Sequence, residues 1–88
     1  MLDTPEITIG RDPSSSVFLN DMTVSRRHAV LHINGNSARI EDLGSLNGTW
    51  VDGAIVKSAP IVDGSTIQVG TFRIIYHTTR PQRIQTGE

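Results

Sequence analysis

Residues 29–43, AVLHINGNSARIEDL, decide the fold, because two short alternating runs meet there at an Asn34-Gly35 pair. Ala29, Leu31 and Ile33 fall on one face of the first run and Val30, His32 and Asn34 on the other, which is the period-two pattern of a half-buried strand. An Asn-Gly step readily adopts positive φ and closes a tight hairpin, so strands are expected at residues 29–34 and 38–43. The same punctuation continues in both directions. Gly10, Asp12-Pro13, Asn20-Asp21, Gly44, Asn47-Gly48, Asp52-Gly53, Asp63-Gly64 and Gly70 separate further short apolar runs at 6–10, 17–19, 49–51, 55–56, 66–69 and 72–77. Ile67 and Val69 alternate with Thr66 and Gln68 in the same way, and no window repeats at helical spacing. An all-β fold of short strands follows, a sandwich or a barrel, with Trp50, set between Thr49 and Val51, expected in its core.

Composition narrows the function. The chain has 88 residues, a net charge of −1, 36% hydrophobic residues and no cysteine. That is one small domain, which buries only about 60 to 65% of its unfolded surface. Near-neutral charge argues against a nucleic-acid surface, which normally carries a basic excess. No apolar run approaches the roughly 20 residues needed to cross a bilayer, and the first ten residues lack the pattern of a secretion signal, so a cytoplasmic location without membrane insertion is expected. The domain is placed at 6–78, with 1–5 and 79–88 as flexible termini or linker, since the tail is polar, contains Pro81 and has no apolar period.

Three polar clusters sit at the loops: Gly10-Arg11, Ser25-Arg26-Arg27-His28 and Gly44-Ser45-Leu46-Asn47-Gly48-Thr49. Three of the eight basic residues, Arg11, Arg26 and Arg27, lie in the first two. Arginine presents a planar fork of donors that matches phosphate, serine adds a hydroxyl, and the asparagine amide can hold a peptide backbone as donor and acceptor. The pattern points to recognition of a small anionic ligand. Catalysis is not expected: Ser25 and His28 lack a third group to orient the imidazole and lack a nucleophile elbow. Neither a metal nor a cofactor is expected, because His28, His32 and His77 are scattered and no carboxylate joins them at ligand spacing.

Taken in order, these clusters, the last continuing through Trp50-Val51, resemble the signature of the forkhead-associated (FHA) domain over about residues 6–77. In tone the chain is most similar to the small FHA regulators of actinobacteria that work with Ser/Thr protein kinases. The resemblance implies a non-catalytic β-sandwich that binds phosphothreonine peptides, from a phosphorylated protein or kinase, through loops at one end. Position by position it implies that Arg11 and the Ser25 hydroxyl reach the phosphate and that Arg26 holds phosphate or nearby backbone. Asn47 would pair with the peptide main chain, and Ser45 and Leu46 would line the same wall. Gly10, His28 and Gly48 would be architectural: Gly10 and Gly48 let the chain turn, and His28 ties loops together. Arg27, adjacent to Arg26 in extended chain, would point to the far side or the rim.

In one respect the chain departs from the family pattern. FHA domains normally carry a strand and turn before the strand ending at Gly-Arg, yet nine residues precede Gly10. The first strand is therefore expected to be lacking, leaving an open edge at residues 72–77 that a strand-exchanged dimer or the remainder of a larger protein would cover. An alternative function follows, an assembly module that pairs through this edge independently of phosphate. Thr4 has little slack to reach Arg11 as an internal ligand, whereas Thr78, Thr79 and Thr86 are freer.

Overall fold

In a computed structural model, which describes residues 5–35 and 37–78, the hairpin at Asn34-Gly35 forms the middle of the larger sheet. The strands are β1 (Glu6–Gly10), β2 (Val17–Phe18), β3 (Ala29–Asn34), β4 (Ser37–Asp42), β5 (Thr49–Val51), β6 (Ala54–Val56), β7 (Ser58–Ile61), β8 (Thr66–Val69) and β9 (Phe72–Ile75). Gly35 takes φ 64°, as the tight turn requires. One sheet has the order β2-β1-β3-β4-β7 and the other β6-β5-β8-β9. All pairs are antiparallel except β1 with β2, where Ile9 and Gly10 run parallel to Val17 and Phe18. The described residues contain no helix.

The inward positions are those the alternation marks. Ile9, Ala29, Leu31, Ala38, Ile40 and Ile61 of the first sheet meet Ile67 and Val69 of the second, with Val24 contributed by a loop. Ile33, Val51, Val56, Phe72 and Ile74 are half-buried against this cluster.

Trp50 is not in the core. Thr49 is fully buried and Val51 packs against the core, so the strict alternation of a strand turns Trp50 to the outer face, half-buried. There its Nε1–H donates to the Asn47 carbonyl (3.3 Å). β7, with the sequence SAPI, carries no alternating apolar pattern and contains Pro60, which hides it in the sequence. It forms because it pairs only with β4 at the sheet margin, where a proline is tolerated. β9 ends at Ile75, although Tyr76 still donates its N–H to the Ser65 carbonyl (3.0 Å). Among the described residues no strand precedes β1, and β9 is paired with β8 alone.

The expected flexible segments, apart from Pro5, and the candidates Thr4, Thr79 and Thr86 lie outside the described residues. Thr78 is exposed, and its N–H is held by the Asp63 carboxylate (2.9 Å) in the β7–β8 connection.

Candidate functional site

Register brings the three polar clusters to one end of the sandwich. Ile9 pairs with Ala29 and Ala29 with Asp42, so the segments that leave β1, enter β3 and leave β4 emerge together. In the second sheet Thr49 lies beside Val56 and Val69, and Val69 beside Phe72, which brings the entry to β5 and the β8–β9 turn to the same end.

Backbone contacts lock the first two clusters. The Arg11 N–H donates to the Ser25 carbonyl (3.0 Å), the Asp12 N–H to the Arg26 carbonyl (3.2 Å) and the His28 N–H to the Ile9 carbonyl (3.0 Å). Gly10 is required by this approach rather than by its own turn, since a Cβ there would sit 2.1 Å from the Arg26 carbonyl oxygen. Gly48 has both reasons: φ is 85°, and a Cβ would come 2.6 Å from Cδ1 of Ile55.

His28 is fully buried and joins two loops. Its Nδ1 accepts from the Ser25 backbone N–H (3.0 Å), and its Nε2 meets the Gly48 carbonyl (2.8 Å). A carbonyl can only accept, so the proton resides on Nε2 and both ring nitrogens are committed to backbone. His28 therefore does not engage the Ser25 hydroxyl as a base would.

The third cluster is built around Asp42, a residue that the sequence reading passed over. Its carboxylate accepts from the Ser45 hydroxyl, from the Thr49 hydroxyl (2.8 Å) and from the backbone N–H groups of Gly44 (3.0 Å) and Ser45 (3.1 Å). Partial burial pushes the Asp42 carboxyl up, but these four hydrogen bonds outweigh it and hold the group below the usual carboxylate range. The available signal was an Asp placed two and three residues before a Gly and a Ser, the spacing of an Asx turn. Thr23 was passed over as well. Its hydroxyl donates to Asp21 and accepts from the Thr71 N–H (3.2 Å), and its carbonyl accepts from Asn47 Nδ2 (2.8 Å), so it ties three loops together.

Among the expected ligand residues, Arg11 is exposed, with its Nε–H anchored on the Val24 carbonyl (3.0 Å). The Ser25 hydroxyl accepts from the Leu46 N–H (3.0 Å), which leaves its own hydrogen to donate and sets it directly against the third cluster. Arg11 and Arg26 line one open cleft of about 430 Å³ together with Asp12, whereas Arg27 lines a different one. The Asp12 carboxyl is held low by the backbone N–H and hydroxyl of Ser14, with Arg26 and Arg27 adding to the effect. Among the described residues neither Arg11 nor Arg26 forms a salt bridge. Leu46 and Asn47 are exposed on the loop, and one Asn47 N–H is already used on Thr23, leaving its Oδ1 and second N–H. Ser45 has its hydroxyl hydrogen on Asp42 and so builds the loop wall without a donor to offer.

Two exposed arginines line one cleft, and the Ser25 hydroxyl next in sequence to Arg26 keeps a hydrogen to donate, a set of donors whose chemistry suits an anion. The FHA domain family model matches residues 7–70. The chain belongs to the FHA domain family. Within this family, GarA, the glycogen accumulation regulator of Mycolicibacterium smegmatis, is 45% identical over 78 residues, covering 89% of this chain and 49% of its own length. The oxoglutarate dehydrogenase inhibitor of Corynebacterium efficiens is 46% identical over 76 residues, covering 86% of this chain and 54% of its own. This FHA chain thus spans about half the length of the curated relatives it matches. A solved FHA domain, described in a structural and functional analysis of phosphothreonine-dependent FHA domain interactions, superposes with a TM-score of 0.83 at 35% identity. The match covers 91% of this chain and 83% of that one.

Proposed function

We propose that this FHA domain captures phosphothreonine in an extended peptide at the loop end of its sandwich and carries no catalytic activity. The observation that supports this most strongly is the cleft shared by Arg11 and Arg26, two guanidinium groups without a salt-bridge partner among the described residues. Arg11, Ser25 and Arg26 are the phosphate ligands. Asn47 holds the peptide main chain with its remaining amide groups, Leu46 and Ser45 form the wall, and Gly10, His28 and Gly48 keep the loops in place. A phosphate of charge near −2 gains roughly 1 to 3 charge-assisted hydrogen bonds from such a set. The solved FHA neighbour is described by its phosphothreonine-dependent interactions, and the relatives are named as a regulator and an inhibitor, which favours a binding role. The partner is a phosphothreonine-containing protein or kinase in Ser/Thr kinase signalling, met in the cytoplasm. No described helix is long and apolar enough to cross a membrane.

Calorimetric titration with a degenerate phosphothreonine peptide pool tests the reading, with the unphosphorylated pool and the Arg11→Ala protein as controls. Binding near the micromolar scale, about −8 kcal/mol, that requires both phosphate and Arg11 is the expected result. Equal binding of both pools, or none by the folded protein, overturns it.

A second reading, assembly through a sheet edge, is favoured by one observation: among the described residues β9 has a neighbour on one side only, and its Ile75 is 55% exposed. A dimer or a longer chain covering that edge is compatible with phosphopeptide capture at the loops.

A further inference from the structure

Two carbonyls in succession, those of Thr23 and Val24, hold the two side chains on which peptide capture depends. The Thr23 carbonyl accepts from Asn47 Nδ2 (2.8 Å) and the Val24 carbonyl from Arg11 Nε (3.0 Å). A carbonyl only accepts, so Asn47 turns its nitrogen toward Thr23 and its Oδ1 away. Arg11 is fixed at Nε in the same manner, which leaves its terminal nitrogens for an anion. One short turn, residues 21–24, thus aims both an amide and a guanidinium.

The turn is itself pinned from two sides. Within it, the Val24 N–H donates to the Asp21 carbonyl (3.0 Å), and the Asp21 carboxylate accepts from the Thr23 N–H (2.9 Å) and the Thr23 hydroxyl. From outside, the Thr71 N–H of the β8–β9 turn donates to that hydroxyl (3.2 Å), whose own hydrogen is committed to Asp21. Gly70 permits the approach: its φ is 60°, and a Cβ there would run into Thr23 Oγ1 and lie 2.9 Å from the Thr23 carbonyl oxygen. The Thr23 hydroxyl first, and its N–H second, hold the Asp21 carboxyl below its ordinary value, so the acceptor is charged at neutral pH. Neither Asp21 nor Thr23 lines the cleft of Arg11 and Arg26.

We propose that Asp21 and Thr23 are positioning residues for phosphopeptide capture, fixing the carbonyls that orient Asn47 and Arg11 and making the β8–β9 turn of the second sheet part of the binding device. The inference rests on the phosphothreonine reading above. Its physical basis is preorganisation: two rotamer-rich side chains are ordered before the ligand arrives, which accounts for about a tenfold gain in affinity.

Calorimetry with one phosphothreonine peptide, the strongest binder of the degenerate pool, is run on wild type, Asp21→Ala, Thr23→Val, Thr23→Ser, Asn47→Ala and the Thr23→Val/Asn47→Ala double variant. Thr23→Val keeps the branched shape and the carbonyl but removes the hydroxyl, whereas Thr23→Ser keeps the hydroxyl. Thr23→Val and Asp21→Ala are expected to weaken binding about tenfold, and Thr23→Ser to stay within about twofold of wild type. In the Asn47→Ala background the Thr23→Val loss is expected to shrink to about threefold, whereas a merely structural role would leave it undiminished. The Asn47 side-chain amide resonances of the free protein give a second readout: they are expected to move toward those of an exposed amide in Thr23→Val and to stay in place in Thr23→Ser. This readout decides where Asn47→Ala binds too weakly for the cycle, and Asp21→Ala takes its place where Thr23→Val fails to fold by circular dichroism. Unchanged binding by the folded Thr23→Val and Asp21→Ala proteins, an equal loss with and without Asn47, or unmoved Asn47 resonances overturn the positioning role and leave the phosphothreonine reading standing. Absence of phosphate-dependent binding by wild type overturns both.

Discussion

The loop end and the β9 edge of this domain are ordered by opposite means. At the loop end the chain is irregular, yet nearly every turn is tied to another by a side chain: Asn47 to Thr23, Ser25 to Leu46, His28 to Ser25 and Gly48, Arg11 to Val24. At β9 the chain is a regular strand, held by a single ladder to β8 with its other margin open among the described residues. Regular secondary structure is thus a poor guide to rigidity here. The irregular loops hold their donors in place before a ligand arrives, which lowers the ordering cost of binding. The edge retains unpaired backbone groups that another strand can use.

The most damaging way to break this contrast is His28→Ala. It removes a fully buried ring and leaves the Ser25 N–H and the Gly48 carbonyl unpaired, for an expected loss of about 3 to 5 kcal/mol of stability. Urea denaturation measures this; a loss under about 1 kcal/mol would mean that the loops do not depend on the cross-link.

Arg11→Ala should separate binding from folding. The loss of phosphopeptide binding is expected at about 2 to 3 kcal/mol, on the order of 100-fold, by calorimetry. Stability should change by about 1 kcal/mol, the worth of the Val24 hydrogen bond.

Asp42→Asn should cost about 1 to 2 kcal/mol of stability at neutral pH by weakening the four-donor hub. The Asp42 carboxyl is lowered in the folded state from its ordinary value of 3.8, so the charged form favours folding. That stability is fully present above the ordinary value and disappears as pH falls through the lowered one. Wild type is therefore expected to lose more stability than Asp42→Asn in an acid titration; parallel curves would remove Asp42 from the account.

Native-state amide exchange sharpens the contrast without mutation. The Leu46 and Ser25 amides, each held by a side chain, should exchange more slowly than those on the open margin of Phe72–Ile75. Slow exchange throughout β9 would show that its edge is covered in solution. The smallest effect belongs to Thr66→Ala: Thr66 pairs with Ile75, away from the loop end, and binding should change by less than about 0.5 kcal/mol.

Much of this was legible in one dimension. Alternation about Asn34-Gly35 located β3 and β4, turn residues marked most other strands, and the spacing of Arg11, Ser25, Arg26 and Asn47 carried the family resemblance. Each of those is a local property, visible because backbone φ preferences and a period of two act over a few residues. The outward turn of Trp50, the edge strand β7 with its proline, and the parallel contact of β1 with β2 were not legible, since each depends on which strand lies alongside.

The same division holds at the site. The sequence by itself determined the all-β class and the loops that hold the polar clusters, because those follow from local periodicity and side-chain type. Only the tertiary structure decided that Gly10 yields space to the Arg26 carbonyl, that Asp42 and Thr23 fasten the loops, and that Ser45 is committed to Asp42. Those are contacts between residues distant in the chain, set by the register of strands in two sheets, and no short window of sequence contains them.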